Sequence, residues 1–210
     1  GHLGNGYDLG LVFLARPVEN VEPATLARPE DARFLEPGMG VAIAGYGQTT
    51  ETASVDMQLG IKFHGASLIF EVGDYEMRVG HTDAVDADDQ GRAQKCYGDS
   101  GGPSYLVFSD GSMRLIGVTS RDYDNTGCYT AGVDMRVDAF LDWITEQETI
   151  ACTQGLRAKA ACGGNAEPTP KHETRRVIPQ DPDGCAATGA QAGFLGVIAL
   201  LPLLRRRKEG

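Results

Sequence analysis

The sequence predicts an all-β chain of antiparallel strands, with short helical elements confined to its C-terminal part. Its 28 glycines among 210 residues, set between short apolar runs, favour strands joined by turns over long helices. Ser54 to Val79 alternates apolar and polar residues in short pieces, Gln58 to Phe63 and Ala66 to Val72, the period-2 pattern of antiparallel strands. With 41% hydrophobic and 23% charged residues, most of the chain has the means to bury a core. The length fits one domain of ordinary size plus extras.

The elements follow in order. Gly1 to Gly6 is a loop, and Leu9 to Leu14 is almost continuously apolar, as in a strand covered on both faces. Asp8 heads that run, where a carboxylate is costly to bury unless paired or hydrogen-bonded. Pro17, Pro23, Pro29 and Pro37 punctuate a polar surface connection over Glu19 to Gly38. Val41 to Gly47 reads as a strand ending in a glycine-flanked aromatic, Tyr46. Ser104 to Phe108 and Met113 to Thr119 form a hairpin around Ser109-Asp110-Gly111. Near the end of the folded part, Phe140, Leu141 and Ile144 share one face of a helix at i, i+1 and i+4. Gly163 to Gly184 lacks periodicity and is rich in proline and charge, which predicts a flexible linker. Phe194 to Leu204 is a hydrophobic helix followed by Arg205-Arg206-Arg207-Lys208. Its uncharged run is marginal for a membrane span, which needs about 20 residues, and the basic flank stays cytoplasmic.

The totals exclude several functions. A formal charge of −10 argues against nucleic acid, because a phosphate-binding surface needs clustered Lys and Arg. Five cysteines are too few for a disulfide scaffold and lack metal-ligand spacing. Asp86, Asp88 and Gly91 resemble the opening of a calcium loop, but the closing Glu is missing, so Asp83 to Gly91 is read as a solvated loop. No metal and no cofactor is expected.

The chemistry concentrates in Cys96-Tyr97-Gly98-Asp99-Ser100-Gly101-Gly102-Pro103. Glycines on both sides of Ser100 let the backbone approach a ligand closely, and Pro103 stiffens the exit. Such a loop exposes the Ser100 hydroxyl and aims the N–H groups of Gly98 and Ser100 at one spot, the geometry of an oxyanion hole. The full run resembles the nucleophile loop of the trypsin-like (chymotrypsin-family) serine peptidases. Two other segments agree with that family in order and spacing. Asp8-Leu9-Gly10-Leu11 is similar to its Asp-Ile/Leu-Ala-Leu, and Gly45-Tyr46-Gly47 to its Gly-Trp-Gly.

The resemblance covers roughly Asp8 to Glu148 and implies a double antiparallel β-barrel, the second barrel complete and the first only partly present, closed by a C-terminal helix. It implies Ser100 as nucleophile, Asp8 as the acid that orients the catalytic imidazole, Gly98 and Ser100 as the oxyanion hole, and Asp99 as the zymogen-activation acid. It pairs Cys96 with Cys128, and matches Gly132 to Val137 to a family strand and Asp138 to Ile144 to the closing helix. Ser120, Arg121 and Asp122 occupy the place where the family pairs substrate backbone with an edge strand; Arg121 and Asp122 depart from its Ser-Trp-Gly. Gln94 matches the base of the specificity pocket, where a trypsin carries Asp, and Gly132 a wall that leaves it open, so medium or large uncharged side chains fit, while Asp122 would reintroduce an acid there. A disulfide that the family commonly carries across Ser54 to Val79 has no cysteines here.

One part of the family pattern is missing. The order along the chain is His, Asp, Ser, yet His2 lies only a few residues before Asp8, His64 and His81 follow it, and His172 is in the linker. The base is assigned to none of them, although a non-family base at His64 or His81 is the alternative. The chain also begins at Gly1 without a leader, which reads as a fragment or processed product. Asp99 would then lack the α-amino partner the family supplies, leaving this chain alone inactive and poorly stable.

The expected organisation is a partial peptidase domain over 1–148, a cysteine-containing segment and linker over 149–184, and a membrane or sorting segment over 185–210. Cys152 and Cys162 either close a small disulfide loop or remain structural thiols. Linker, apolar helix and basic cluster resemble a bacterial C-terminal sorting signal, and Cys185 resembles the lipidation or sorting cysteine of the myxobacterial variety (MYXO-CTERM-like). Protein or peptide substrates and a sorting protease or envelope machinery are the implied partners, at a secreted or envelope location with oxidising conditions. Two function classes result: a serine endopeptidase, or an inactive homologue serving as an envelope-anchored binding module.

Overall fold

The computed structural model describes residues 3–4, 6–14, 16, 18–49, 60–80, 92–123, 128, 130–157, 162 and 186–187. The strands are β1 (Thr25–Leu26), β2 (Gly40–Gly45), β3 (Phe63–Val72), β4 (Glu76–Val79), β5 (Pro103–Val107), β6 (Met113–Asp122), β7 (Gly132–Arg136) and β8 (Ala186–Ala187). One α-helix, α1, spans Leu141–Thr153 and continues from a three-residue 3-10 turn, Asp138–Phe140.

Alternation along the strands explains their pairing. In β3 the residues Gly65, Ser67 and Ile69 are buried while their neighbours are less so, and in β5 the buried pair is Ser104 and Leu106. These inward rows close a six-stranded antiparallel barrel in the order β2-β3-β4-β7-β6-β5, with β5 returning to β2 at Ala42↔Tyr105 and Ile43↔Ser104. Bulges at Ile69/Glu71, Ser104/Tyr105 and Thr119/Arg121 supply the local twist that closure requires. The core is Val41, Ile43, Ile69, Met77, Val79, Leu106, Ile116, Val118, Val133 and Met135. β8 adds a two-residue antiparallel pairing at Phe63 and His64.

Two segments differ from expectation. Leu9 to Leu14 forms no strand; Leu9 and Leu11 pack against the barrel core while Asp8, Gly10 and Val12 are exposed. Only one of its faces is covered, and no described strand lies beside it to satisfy its backbone. The connection over Glu19 to Gly38 is more than surface loop. Its β1 runs parallel to β6, and a six-residue 3-10 helix, Pro29–Phe34, buries Asp31 against Arg114. A carboxylate so placed is held by its guanidinium partner and by the Arg28 N–H at 2.9 Å.

α1 docks through Ile144 and Ala151 and ends on a Schellman-type cap: Gly155, at φ 68°, donates to Cys152, and Leu156 donates to Ala151. The helix thus continues past residue 148. Cys152 is bonded to Cys162, which resolves the two alternatives for that pair.

Where no disulfide is available across β3 and β4, Arg78 does the bridging. It is buried, with its guanidinium 3.6 Å from the Tyr123 ring centroid and 4.7 Å from that of Phe70. A cation between two ring faces is worth more once desolvated, and its aliphatic stem fills core volume. Arg78→Ala is expected to cost about 1–3 kcal/mol, read as a lowered urea midpoint at unchanged m-value.

Candidate active site

The loop from Cys96 to Pro103 is anchored at both ends. Cys96 is bonded to Cys128, and at the far end Thr119 donates through its N–H (2.9 Å) and Oγ1 (3.0 Å) to the carbonyl of Gly102, while Gly101 N–H donates to Thr119. Gly98 (φ 92°) and Gly101 (φ 81°) adopt the left-handed conformation that ordinary residues resist, so the chain turns sharply and leaves Ser100 exposed.

Asp99 points the other way, into the protein. Its carboxylate accepts from Gly47 N–H at 2.8 Å and from Cys96 N–H at 2.9 Å. The glycines flanking Tyr46 make room for it: a Cβ on Gly47 would lie 2.6 Å from Asp99 Oδ1, and one on Gly45 would be closer still. This corrects the expectation of a partnerless Asp99. Two backbone N–H donors thus hold the partly buried carboxylate.

Asp8 is exposed and accepts a hydrogen bond from Ser120 Oγ at 2.7 Å. Ser120 is the extra residue of the β6 bulge, which frees its side chain from the β7 ladder and turns it toward Asp8. Beside it, Arg121 forks onto buried Glu76 at 2.8 and 3.0 Å, and Gly4 N–H donates to the same carboxylate at 2.7 Å. Glu76 therefore ties the β6 end to the segment that carries Asp8. Tyr7 lies 5.2 Å from Tyr75 and 5.9 Å from Phe140, centroid to centroid, seating that segment on the barrel. Asp122 pairs with Gly132 across β6 and β7.

At the residues matched to the specificity pocket, Gln94 is half-buried and packs against Gly80, while Gly132 is buried. The Lys95 stem runs beside Gly132, where a Cβ would lie 3.2 Å from Lys95 Cδ. Lys95 is buried, its Nζ bonded to Asp134 Oδ1 and, at 2.8 Å, to Ser104 Oγ; Ser104 in turn donates to Asp134 Oδ2 at 2.6 Å. Burial pushes the Lys95 ammonium below the ordinary lysine range, and the Asp134 carboxylate opposes that shift.

Lys95, Asp134 and Glu76 were not singled out from the sequence. For Glu76 and Asp134 the signal was an ionisable residue inside an otherwise strand-like run, which only a buried partner makes tolerable; the sequence around Lys95 carries no such signal. His64 is exposed on β3. His2, His81, His172, Cys185, the acidic stretch Asp83 to Gly91 and the apolar run with its basic cluster lie outside the described residues. Among the described residues no cluster of three or more ligating side chains is present, and no helix is long and apolar enough to cross a membrane.

The Arg121 fork, more than the Gly4 and Gly6 N–H groups, holds Glu76 below the usual carboxylate range against the opposing effect of burial. A depressed folded value adds stability above the unfolded value of about 4.5, lost as pH falls through the folded value. Glu76→Gln is expected to cost about 1–3 kcal/mol at pH 7 and to flatten the acid limb of a melting-temperature profile below pH 5.

A family model described as Trypsin matches residues 2–144. The chain is 29% identical over 150 residues to the serine proteinase stubble of Drosophila melanogaster, covering 67% of this chain and 19% of that protein. It is also 29% identical over 149 residues to the human atrial natriuretic peptide-converting enzyme, covering 67% of this chain and 14% of that protein. The chain thus spans under a fifth of the length of either relative. With six antiparallel strands closed into a barrel, a Gly-Asp-Ser-Gly-Gly loop tied back by a disulfide, and a matched region covering most of its length, this chain belongs to the trypsin family of serine peptidases.

Proposed function

We propose that this chain carries the nucleophile and the orienting acid of a serine endopeptidase that works through an acyl-enzyme. The observation that carries the reading is the pair of tethered groups, Ser100 on its positive-φ glycine turn and Asp8 held by Ser120. Serine needs an adjacent base to act as a nucleophile. In the proposed mechanism a histidine from outside these 210 residues takes the Ser100 proton, with Asp8 accepting from the other ring nitrogen. Ser100 Oγ then bonds to the substrate carbonyl carbon. Gly98 and Ser100 N–H groups receive the developing oxyanion, a role supported by their making no backbone hydrogen bond among the described residues. The base returns its proton to the leaving amine, and water repeats the sequence to release the acyl group.

Asp99, in this reading, governs the loop by pinning it from behind. The stretch Ser120 to Asp122 takes the substrate backbone by strand addition, supported by β5 pairing with β6 no further than Val118. Gln94 and Gly132 belong to the pocket for the substrate side chain. Two disulfides fit an oxidising compartment. The proposed organisation runs the peptidase part through the end of α1 at Thr153 rather than to 148, followed by a segment with the Cys152–Cys162 bond and a linker to 184, and a tail over 185–210 in which Cys185 is processed by envelope sorting machinery.

Fluorophosphonate labelling of the full-length protein tests the reading. Ser100 is expected to label at an enzyme-like rate, Ser100→Ala to abolish labelling, and Asp8→Asn to lower kcat by about 10,000-fold. Absence of labelling in folded protein would replace the peptidase with an inactive, peptide-binding homologue.

A further inference from the structure

Asp134 lies in β7 between the fully buried apolar residues Val133 and Met135, and its partner is the buried Lys95, which belongs to no strand. The Lys95 stem runs along Gly132, with Cδ and Cβ 3.2 and 3.5 Å from where a Gly132 Cβ would be. Its ammonium ends on Asp134 and Ser104, and Ser104 also donates to the second Asp134 oxygen, so each member of the trio is satisfied by the other two. A buried ion pair recovers its desolvation cost only with such geometry.

We propose that Lys95 is a built-in occupant of the primary specificity pocket, limiting the substrate side chain there to a small uncharged one. The proposal rests on the peptidase reading for what the pocket is used for. The Lys95 stem fills the space along Gly132 that a long side chain would need. Its ammonium already holds the carboxylate that a substrate cation would seek, and its charge repels that cation. An acidic side chain gains little, since Asp134 neutralises Lys95. Glycine, alanine and serine remain.

The test uses the full-length protein with benzamidine and benzyl alcohol as probes, followed by ligand-observed NMR. Wild type is expected to bind neither. Lys95→Ala exposes Asp134 and is expected to bind benzamidine at least about tenfold more tightly than wild type. Lys95→Ala with Asp134→Asn removes both charges, and is expected to bind benzyl alcohol without preferring benzamidine. If the single variant fails to fold around an unpaired Asp134, the double variant decides. Equal benzamidine binding by wild type and Lys95→Ala, or a folded double variant that takes neither probe, overturns the proposal. Probe binding needs no catalysis, so a protein that gains the probes but never labels at Ser100 refutes only the peptidase reading. In protein that does label, cleavage after glycine, alanine or serine supports the proposal, and wild-type cleavage after large or charged residues overturns it.

Discussion

The hydrogen bonds from Gly47 and Cys96 N–H to the Asp99 carboxylate hold the candidate site together. They join the end of β2 to the loop that β5 continues, and they face Asp99 inward while its neighbour Ser100 faces solvent. Adjacent residues on a sharp turn project in opposite directions, so securing one determines where the other points. The arrangement constrains the sequence on the far side as well. Gly45 and Gly47 have no room for a Cβ because the carboxylate occupies that space. Two N–H donors on one partly buried carboxylate fix its position more firmly than either would alone.

Polar pairs take over work that apolar residues or disulfides perform elsewhere. Asp31 with Arg114, Arg136 with Asp138, Glu76 with Arg121 and Lys95 with Asp134 each set at least one carboxylate against the core. Such pairs contribute little net stability over well-packed hydrophobes, because desolvation of both charges offsets their attraction. What they add here is position. Arg121 and Glu76 connect β6 to the Asp8 segment, and Arg136 also donates to the Gly73 carbonyl at 2.5 Å, joining β7 to the β3–β4 turn. Arg78 between Phe70 and Tyr123 does the same across β3, β4 and the end of β6.

Much of this was legible in the sequence. The β5–β6 hairpin, the strand read over Val41 to Gly47 and found at Gly40–Gly45, the face of α1 and the Ser100 loop all depend on local pattern, namely alternation, turn residues and glycine placement. The Cys96–Cys128 bond followed from the family resemblance alone. The Leu9 to Leu14 run was misread because an apolar stretch reports a capacity for burial without saying whether a second face covers it. The 3-10 helix at Pro29–Phe34 was hidden because its one buried polar residue, Asp31, finds its partner 83 residues away.

By itself the sequence determined the fold class, the exposed Ser100 loop and the presence of an acid at position 8, since each is written in neighbouring residues. Tertiary structure alone decided the partners of the charges. Asp99 is held by Gly47, Glu76 by Arg121 and Gly4, and Lys95 by Asp134, across separations of 39 to 72 residues. No local pattern encodes these pairs. Which cation meets which carboxylate depends on barrel register, and register is settled only when the six strands close on one another.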